Sequence, residues 1–211
     1  LKCDVSDPDD VNRLVEFTIK TFGRLDCIIN NAGYYPPQKL IDEFSIEEFR
    51  KILDTNLIGV FAGCKYALPY LRSTGGSIIN MGSVIGSVGQ EGASIYTATK
   101  GAISSLTKSL AIDEARNGVR VNVVLPGNII TEMYYANKSR DPNPDEFEKW
   151  SNNVQWMGRG GTPEEVGNTC LFLASSGASF ITGAEVRVTG GYEIGEGQNL
   201  RYLKGMGIRK K

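Results

Sequence analysis

Four short apolar runs, three of them ending in a small, glycine-bearing turn, constrain this chain more than any other feature. Residues 25–29 lead into Asn30-Asn31-Ala32-Gly33, Ser77–Met81 into Gly82-Ser83, and residues 119–125 into Pro126-Gly127-Asn128. Glu185–Val188 forms a fourth run, followed by Gly190-Gly191. Short runs rich in Val, Ile and Leu suit strands buried on both faces of a parallel sheet.

Helical patterns lie between these runs. Asp7 or Asp9 can cap a helix that carries Val11, Leu14, Val15 and Ile19 and ends near Gly23. Ser45 with Glu48 forms a capping box that opens a long helix through Phe49, Ile52 and Leu53 towards Leu71. Another helix runs from about Ser94 to Arg116 and stops at Asn117-Gly118. Thr162-Pro163-Glu164-Glu165 supplies a cap, a first-turn proline and acids at the positive end of a helix dipole. Alternating strands and helices without an internal repeat predict one α/β domain over the 211 residues, built on a doubly wound parallel sheet. Residues 132–160 break the rhythm with Pro142, Pro144, Tyr134, Tyr135, Trp150 and Trp156. Because they follow a strand's carboxyl end, they read as a lid over a site, with a plain surface loop as the alternative.

Composition removes several function classes. A net charge of −1 leaves no basic footprint for nucleic acid, and the one basic cluster, Arg209-Lys210-Lys211, reads as a frayed tail. No apolar run is long enough for a membrane span. Cys3, Cys27, Cys64 and Cys170 form no CxxC pair and the chain has no histidine, so no metal site is expected. The cysteines read as small buried hydrophobes of a reduced, cytoplasmic protein.

The absence of histidine also removes the usual general base near neutral pH. Tyr96 and Lys100, four residues apart, share one face of a helix, and Ser83 lies thirteen residues before the tyrosine. A lysine charge roughly 5 Å from a phenol favours phenolate by about 3 kcal/mol at an effective dielectric of about 20, roughly two pKa units. In open α/β sheets ligands bind outside the carboxyl ends of the strands, where the three turns would share a rim. Glycines there let backbone approach a flat ligand, and the asparagine amides offer hydrogen bonds.

Ser83, Tyr96 and Lys100, together with Asn56 in Thr55-Asn56-Leu57-Ile58-Gly59, the Asn31-Ala32-Gly33 turn and the stretch from Pro126-Gly127 to Thr131, resemble the short-chain dehydrogenase/reductase family over the whole chain. The resemblance implies a Rossmann-like sheet and an oxidoreductase that uses NAD, with NADP left open. It makes Asn56, Ser83, Tyr96 and Lys100 the catalytic set: Tyr96 as acid–base, Lys100 lowering its pKa and holding the nicotinamide ribose, Ser83 on the oxyanion, and Asn56 anchoring a proton-relaying water. It places Asp4 and Val5 at the adenine, and Asn31, Ala32, Gly33, Pro126, Gly127, Ile129 and Thr131 along the cofactor with Tyr96 and Lys100. For Asp4 a turn or helix-cap role stands as the alternative, and Thr131 could equally cap the segment that follows.

The family's first strand, glycine-rich phosphate turn and second strand would precede Leu1, and no TGxxxGxG pattern occurs in the chain. Residues 1–3 then read as the tail of a strand left at an apolar edge of an N-terminally incomplete sheet. The expectation is a partial sequence that binds a dinucleotide poorly as it stands and hides the choice between NAD and NADP.

Within the family the chain resembles the type 14 17β-hydroxysteroid dehydrogenases. The resemblance rests on Gly23-Arg24-Leu25-Asp26-Cys27, Pro36-Pro37, Ala67-Leu68-Pro69-Tyr70-Leu71-Arg72 and Val188-Thr189-Gly190-Gly191. This implies oxidation of a steroid hydroxyl with NAD. Tyr34, Val84, Gln90, Met133 and Tyr134, beside Ser83, are the candidate pocket for a hydrophobic secondary alcohol or ketone. A carbonyl or 3-oxoacyl reductase using NADPH and a non-catalytic scaffold are the competing readings. The helices around 45–72 and 95–116 resemble the family's subunit-contact pair, which implies a homotetramer or homodimer.

Overall fold

The computed structural model describes residues 1–194; the Arg209-Lys210-Lys211 cluster lies outside the described residues. Pro8–Phe22 (α1) begins where Asp7 accepts a hydrogen bond from the Asp9 amide, and it ends at Gly23 with φ 78°. After Cys27–Asn30 (β1), the Ser45–Glu48 capping box opens Ile46–Leu53 (α2) as the spacing predicts. The long helix expected through Leu71 is interrupted. Asp54–Ile58 form a π-helical turn before the chain resumes as Gly59–Thr74 (α3), ended by Gly75 in the left-handed region. A π turn widens the helix locally, re-aims the side chains it carries and recurs at functional sites.

Ser77–Met81 (β2), the short Ile85–Val88 (α4), Ser94–Glu114 (α5) and Arg120–Pro126 (β3) follow. Residues 132–160, which the sequence marks as an irregular polar insertion, carry two helices, Glu132–Arg140 (α6) and Pro144–Asn153 (α7). Pro163–Ala174 (α8) starts at the Thr162–Glu165 capping box, and Glu185–Val188 (β4) closes the sheet. Residues 1–3 form no strand. The chain bends instead into a turn closed by the Asp7 amide on the Asp4 carbonyl at 3.1 Å, with the Asp4 carboxylate accepting from the Ser6 amide and hydroxyl at 3.0 and 2.7 Å. A strand at that point needs a neighbour for its ladder, and the backbone groups of Asp4, Ser6 and Asp7 bond locally instead.

The four strands are parallel in the order β1-β2-β3-β4. Asn30 lies opposite Asn80, Asn80 opposite Val123, and Pro126 opposite Val188, so every strand ends at the same rim. Val60, Cys64 and Leu71 of α3 and Ile103 of α5 pack on Ile78, Val121, Val123 and Leu125. Val166, Cys170 and Leu173 of α8 pack on Ile79 and Val124 from the other face. The sheet is therefore wound on both sides, as the buried apolar runs predict.

A buried polar chain ties the strand ends to the helices. The Asn30 amide donates to Asn80 Oδ1 at 2.8 Å, and the Asn80 amide donates to Thr107 Oγ1 on α5 at 2.9 Å. Gly63 on α3 leaves the room for Asn30, since a Cβ there would collide with the Asn30 side chain. All four cysteines are free. Cys64 and Cys170 are buried as expected, whereas Cys3 and Cys27 are only half-buried. No described helix is long and apolar enough to cross a membrane.

Candidate active site

Above the rim of the sheet opens a cleft of about 1320 Å³. Its floor is made by the three turns: Asn31-Ala32-Gly33 after β1, Gly82-Ser83-Val84 after β2, and Pro126 through Ile129 with Thr131 after β3. Tyr96 and Lys100 reach it from the first turns of α5, and α6 and α7 supply Met133, Tyr134, Phe147 and Trp150 as a wall.

Helix α5 is held at a fixed height by α4. A Cβ at Gly86 would lie 2.9 Å from both the Gly101 amide nitrogen and the Lys100 carbonyl carbon, so the two backbones touch beside the lysine. Tyr96 is 9 % exposed and Lys100 4 %. The phenol of Tyr96 is hydrogen-bonded to Ser83. The Lys100 ammonium donates to the Met81 carbonyl at 2.8 Å and lies 5.6 Å from the Tyr96 ring centre. A Cβ on Gly33 would be 3.5 Å from the ammonium nitrogen, an ordinary contact distance, so the turn after β1 lies directly beside the charge.

The charge balance differs from the sequence-based expectation. Burial pushes the Tyr96 phenol up, opposed by the hydrogen bond to Ser83, and burial pushes Lys100 down to about 8. The Lys100 ammonium therefore does not bring the phenol below its ordinary value. Desolvation of the phenolate prevails over the attraction of the ammonium, which spends one of its hydrogen bonds on Met81.

Asn56 is fully buried in the π turn. Its Oδ1 accepts from the Tyr34 amide at 2.7 Å, and its Nδ2 donates to the Tyr34 carbonyl at 2.9 Å and to Thr99 Oγ1 at 3.3 Å. Thr99 in turn donates to the Tyr96 carbonyl at 2.8 Å. The expectation that Asn56 anchors a water meets a side chain whose polar atoms are already engaged. Its visible work is to clamp residue 34 to the helix that carries Tyr96, through a threonine that sequence reasoning passed over.

Val84, Gln90, Met133 and Tyr134 line the cleft as expected, and Tyr34 does not. Tyr34 packs among Ile52, Tyr96 and their neighbours, with the Lys51 ammonium 5.8 Å from its ring centre. Tyr35 takes the predicted place: its ring meets Tyr96 edge-on, with centres 4.7 Å apart and an interplanar angle of 63°. Neighbouring aromatics in a stretch without periodicity give no sign of which one faces inward. Asp4 and Val5 lie outside the cleft lining. Asp4 is spent on its turn, and the Val5 carbonyl sits against Gly59 of α3. Thr131 lines the cleft and also caps α6, its hydroxyl accepting from the Tyr134 amide at 3.3 Å. The buried Tyr134 hydroxyl has no hydrogen-bond partner among the described residues.

A family model described as enoyl-(acyl carrier protein) reductase matches residues 1–193. L-fucose dehydrogenase of Bos taurus is 47 % identical over 198 residues, spanning 94 % of this chain and 73 % of the bovine protein. The chain belongs to the short-chain dehydrogenase/reductase family. Solved structures agree. The ligand-free aldohexose dehydrogenase of Thermoplasma acidophilum superposes with a TM-score of 0.87 at 35 % identity, covering 92 % of this chain and 78 % of the other. The 3-ketoacyl-(acyl-carrier-protein) reductase from Brucella melitensis, complexed with NADH, gives 0.84 at 29 % identity, covering 91 % and 77 %. This short-chain dehydrogenase/reductase is accordingly an NAD(P)-dependent oxidoreductase acting on CH–OH groups. The bovine relative is named for a sugar, not for the steroid that the subgroup resemblance implied.

Proposed function

We propose that this protein oxidises a ring hydroxyl of a small cyclic alcohol, with a sugar such as L-fucose as the favoured class, and uses NAD. The observation that carries the chemistry is the convergence of the Tyr96 phenol, the Ser83 hydroxyl and the Lys100 ammonium on one rim. The sugar class is supported by the names of the bovine and Thermoplasma relatives and by the polar groups Asn137 and Arg140 in the cleft lining.

The residues present fit the nicotinamide half of the cofactor. Asn31, Ala32 and Gly33 form a turn without bulk, Lys100 brings an ammonium beside it, and Pro126, Gly127 and Ile129 make an opposing wall, with Thr131 next to it. When bound, oxidised nicotinamide supplies a hydride acceptor and a positive charge. Ser83 and Tyr96 hold the substrate oxygen between them, and Ser83 remains its hydrogen-bond donor as charge develops. Tyr96 takes the hydroxyl proton during oxidation and returns it during carbonyl reduction. Burial favours the protonated phenol, so the chain's own environment suits the reductive direction, and oxidation gains as pH rises. Lys100 keeps the positive end of this relay, anchored on Met81. Asn56 and Thr99 fix the pitch of α5 beneath Tyr96. Helices α6 and α7 act as the lid. A homo-oligomer through α3 and α5 accords with the exposed apolar side chains Phe61 and Ile112 on those helices.

A second reading, a 17β-hydroxysteroid, is favoured by the apolar wall of Met133, Tyr134, Phe147 and Trp150. The two separate in one assay: the full-length protein with oxidised NAD and either L-fucose or a 17β-hydroxysteroid, read by absorbance of the reduced cofactor. The expected kcat/KM for L-fucose exceeds that for the steroid by more than about tenfold, a margin of roughly 1.4 kcal/mol in transition-state binding. The opposite ranking would replace the sugar with the steroid, and no reduction with either would overturn both.

A further inference from the structure

The Tyr35 hydroxyl is the most singular polar group of the cleft outside the catalytic set. It accepts a hydrogen bond from Gln38 Nε2 at 2.9 Å and another from Gln90 Nε2 at 3.4 Å. A phenol oxygen has one proton to give beside its acceptor sites. With two amides donating to it, that proton is turned away from both, and Tyr35 donates to no described protein group. The ring is fixed as well, standing edge-on to Tyr96 at 4.7 Å between centres, and Gln38, Gln90, Tyr35 and Tyr96 all line the same cleft.

The geometry points to Tyr35 as a specificity-determining donor that binds a second oxygen of the substrate, on a carbon next to the one oxidised, so that the site selects vicinal diols and sugars over simple alcohols. The inference rests on the reading of the site as one that oxidises a ring alcohol. The spacing supports it: with ring centres 4.7 Å apart in one cleft, Tyr35 stands beside the catalytic tyrosine, within the span of a single small ring substrate. Burial keeps Tyr35 protonated, which preserves the donor, and the two amides hold its direction. A lone aromatic wall would select by bulk, whereas an oriented donor left unpaired by the wrong substrate rejects it by its chemistry.

The test uses the full-length protein with oxidised NAD and a matched pair, cyclohexanol and trans-cyclohexane-1,2-diol, with L-fucose as a third substrate. Tyr35→Phe keeps the ring against Tyr96 and removes only the hydroxyl. It is expected to raise KM for the diol and for L-fucose about tenfold, the scale of one lost hydrogen bond, while kcat for both and all constants for cyclohexanol stay within about twofold. Gln90→Met, which leaves the phenol but frees it to turn, is expected to produce a smaller rise confined to the same two substrates, and it stands as the readout if Tyr35→Phe does not fold. A parallel loss on cyclohexanol and the diol would show a packing role and overturn the inference while leaving the proposed reaction standing, as would unchanged constants for all three. Absence of turnover of any of the three would overturn the reaction and the inference together.

Discussion

Tyr96→Phe loses about a thousandfold in kcat and unfolds at the wild-type temperature, because it deletes one oxygen and nothing else. The ring keeps its edge contact with Tyr35 and its place in the cluster with Ile52, Val84 and Ile95. The lost hydroxyl bonds Ser83, which faces the cleft and can turn to solvent, so no buried partner is stranded. The chain has no histidine to take over the proton, and Lys100 beside Tyr96 is committed to Met81. Initial rates of reduced-nicotinamide formation, set beside circular-dichroism melts, check it. Retention of more than about a tenth of the wild-type rate in a folded variant would remove Tyr96 from the acid–base role.

Lys100→Met is expected to separate activity from stability. Deleting a charge 5.6 Å from the Tyr96 ring centre removes about 3 kcal/mol of support for phenolate at an effective dielectric of about 20, roughly a hundredfold or more in rate. The same charge is a burden on the fold. Lys100 falls from 10.5 to about 8 on burial, which corresponds to a cost of about 3 kcal/mol at neutral pH. Losing the hydrogen bond to the Met81 carbonyl takes back about 1–3 kcal/mol of that. The variant should therefore be at least as stable as wild type at pH 7. The sign follows from proton counting: between pH 8 and 10.5 the unfolded wild type binds the lysine proton and the folded one does not, so wild-type stability rises through that window and the variant's advantage shrinks. Melting curves at neutral and alkaline pH, with kcat at each, measure both effects. A variant markedly less stable than wild type at pH 7 would show the buried ammonium to be a structural asset.

Much of the framework was legible because it is written in local chemistry. Ser77–Met81 and Glu185–Val188 are strands with the bounds their apolar runs suggest, and Asp7, the Ser45–Glu48 box, Thr162–Pro163 and Gly23 mark helix ends through local hydrogen bonds and backbone conformation. The convergence of Tyr96 and Lys100 on one cleft was legible because positions 96 and 100 share a helix face. What escaped reading depends on contacts distant in sequence. The π turn at Asp54–Ile58 has no compositional mark and is held by Asn56 bonding Tyr34, twenty-two residues away. Helix α6 lacks a clear apolar stripe, although the Thr131 cap, and Pro144 at the first turn of α7, were signals available to find both helices. The choice of Tyr35 over Tyr34 and the net upward push on Tyr96 are set by burial, which no spacing encodes.

The central claim is that Tyr96, Ser83 and Lys100 serve a direct hydride transfer from a ring carbinol to nicotinamide. Deuterium placed on the carbinol carbon tests it most directly: the full-length protein is given oxidised NAD and the labelled alcohol in ordinary water, and the nicotinamide product is analysed by mass spectrometry. One deuterium is expected in each reduced nicotinamide formed. Reduced nicotinamide without the label, or label released to water, would contradict it.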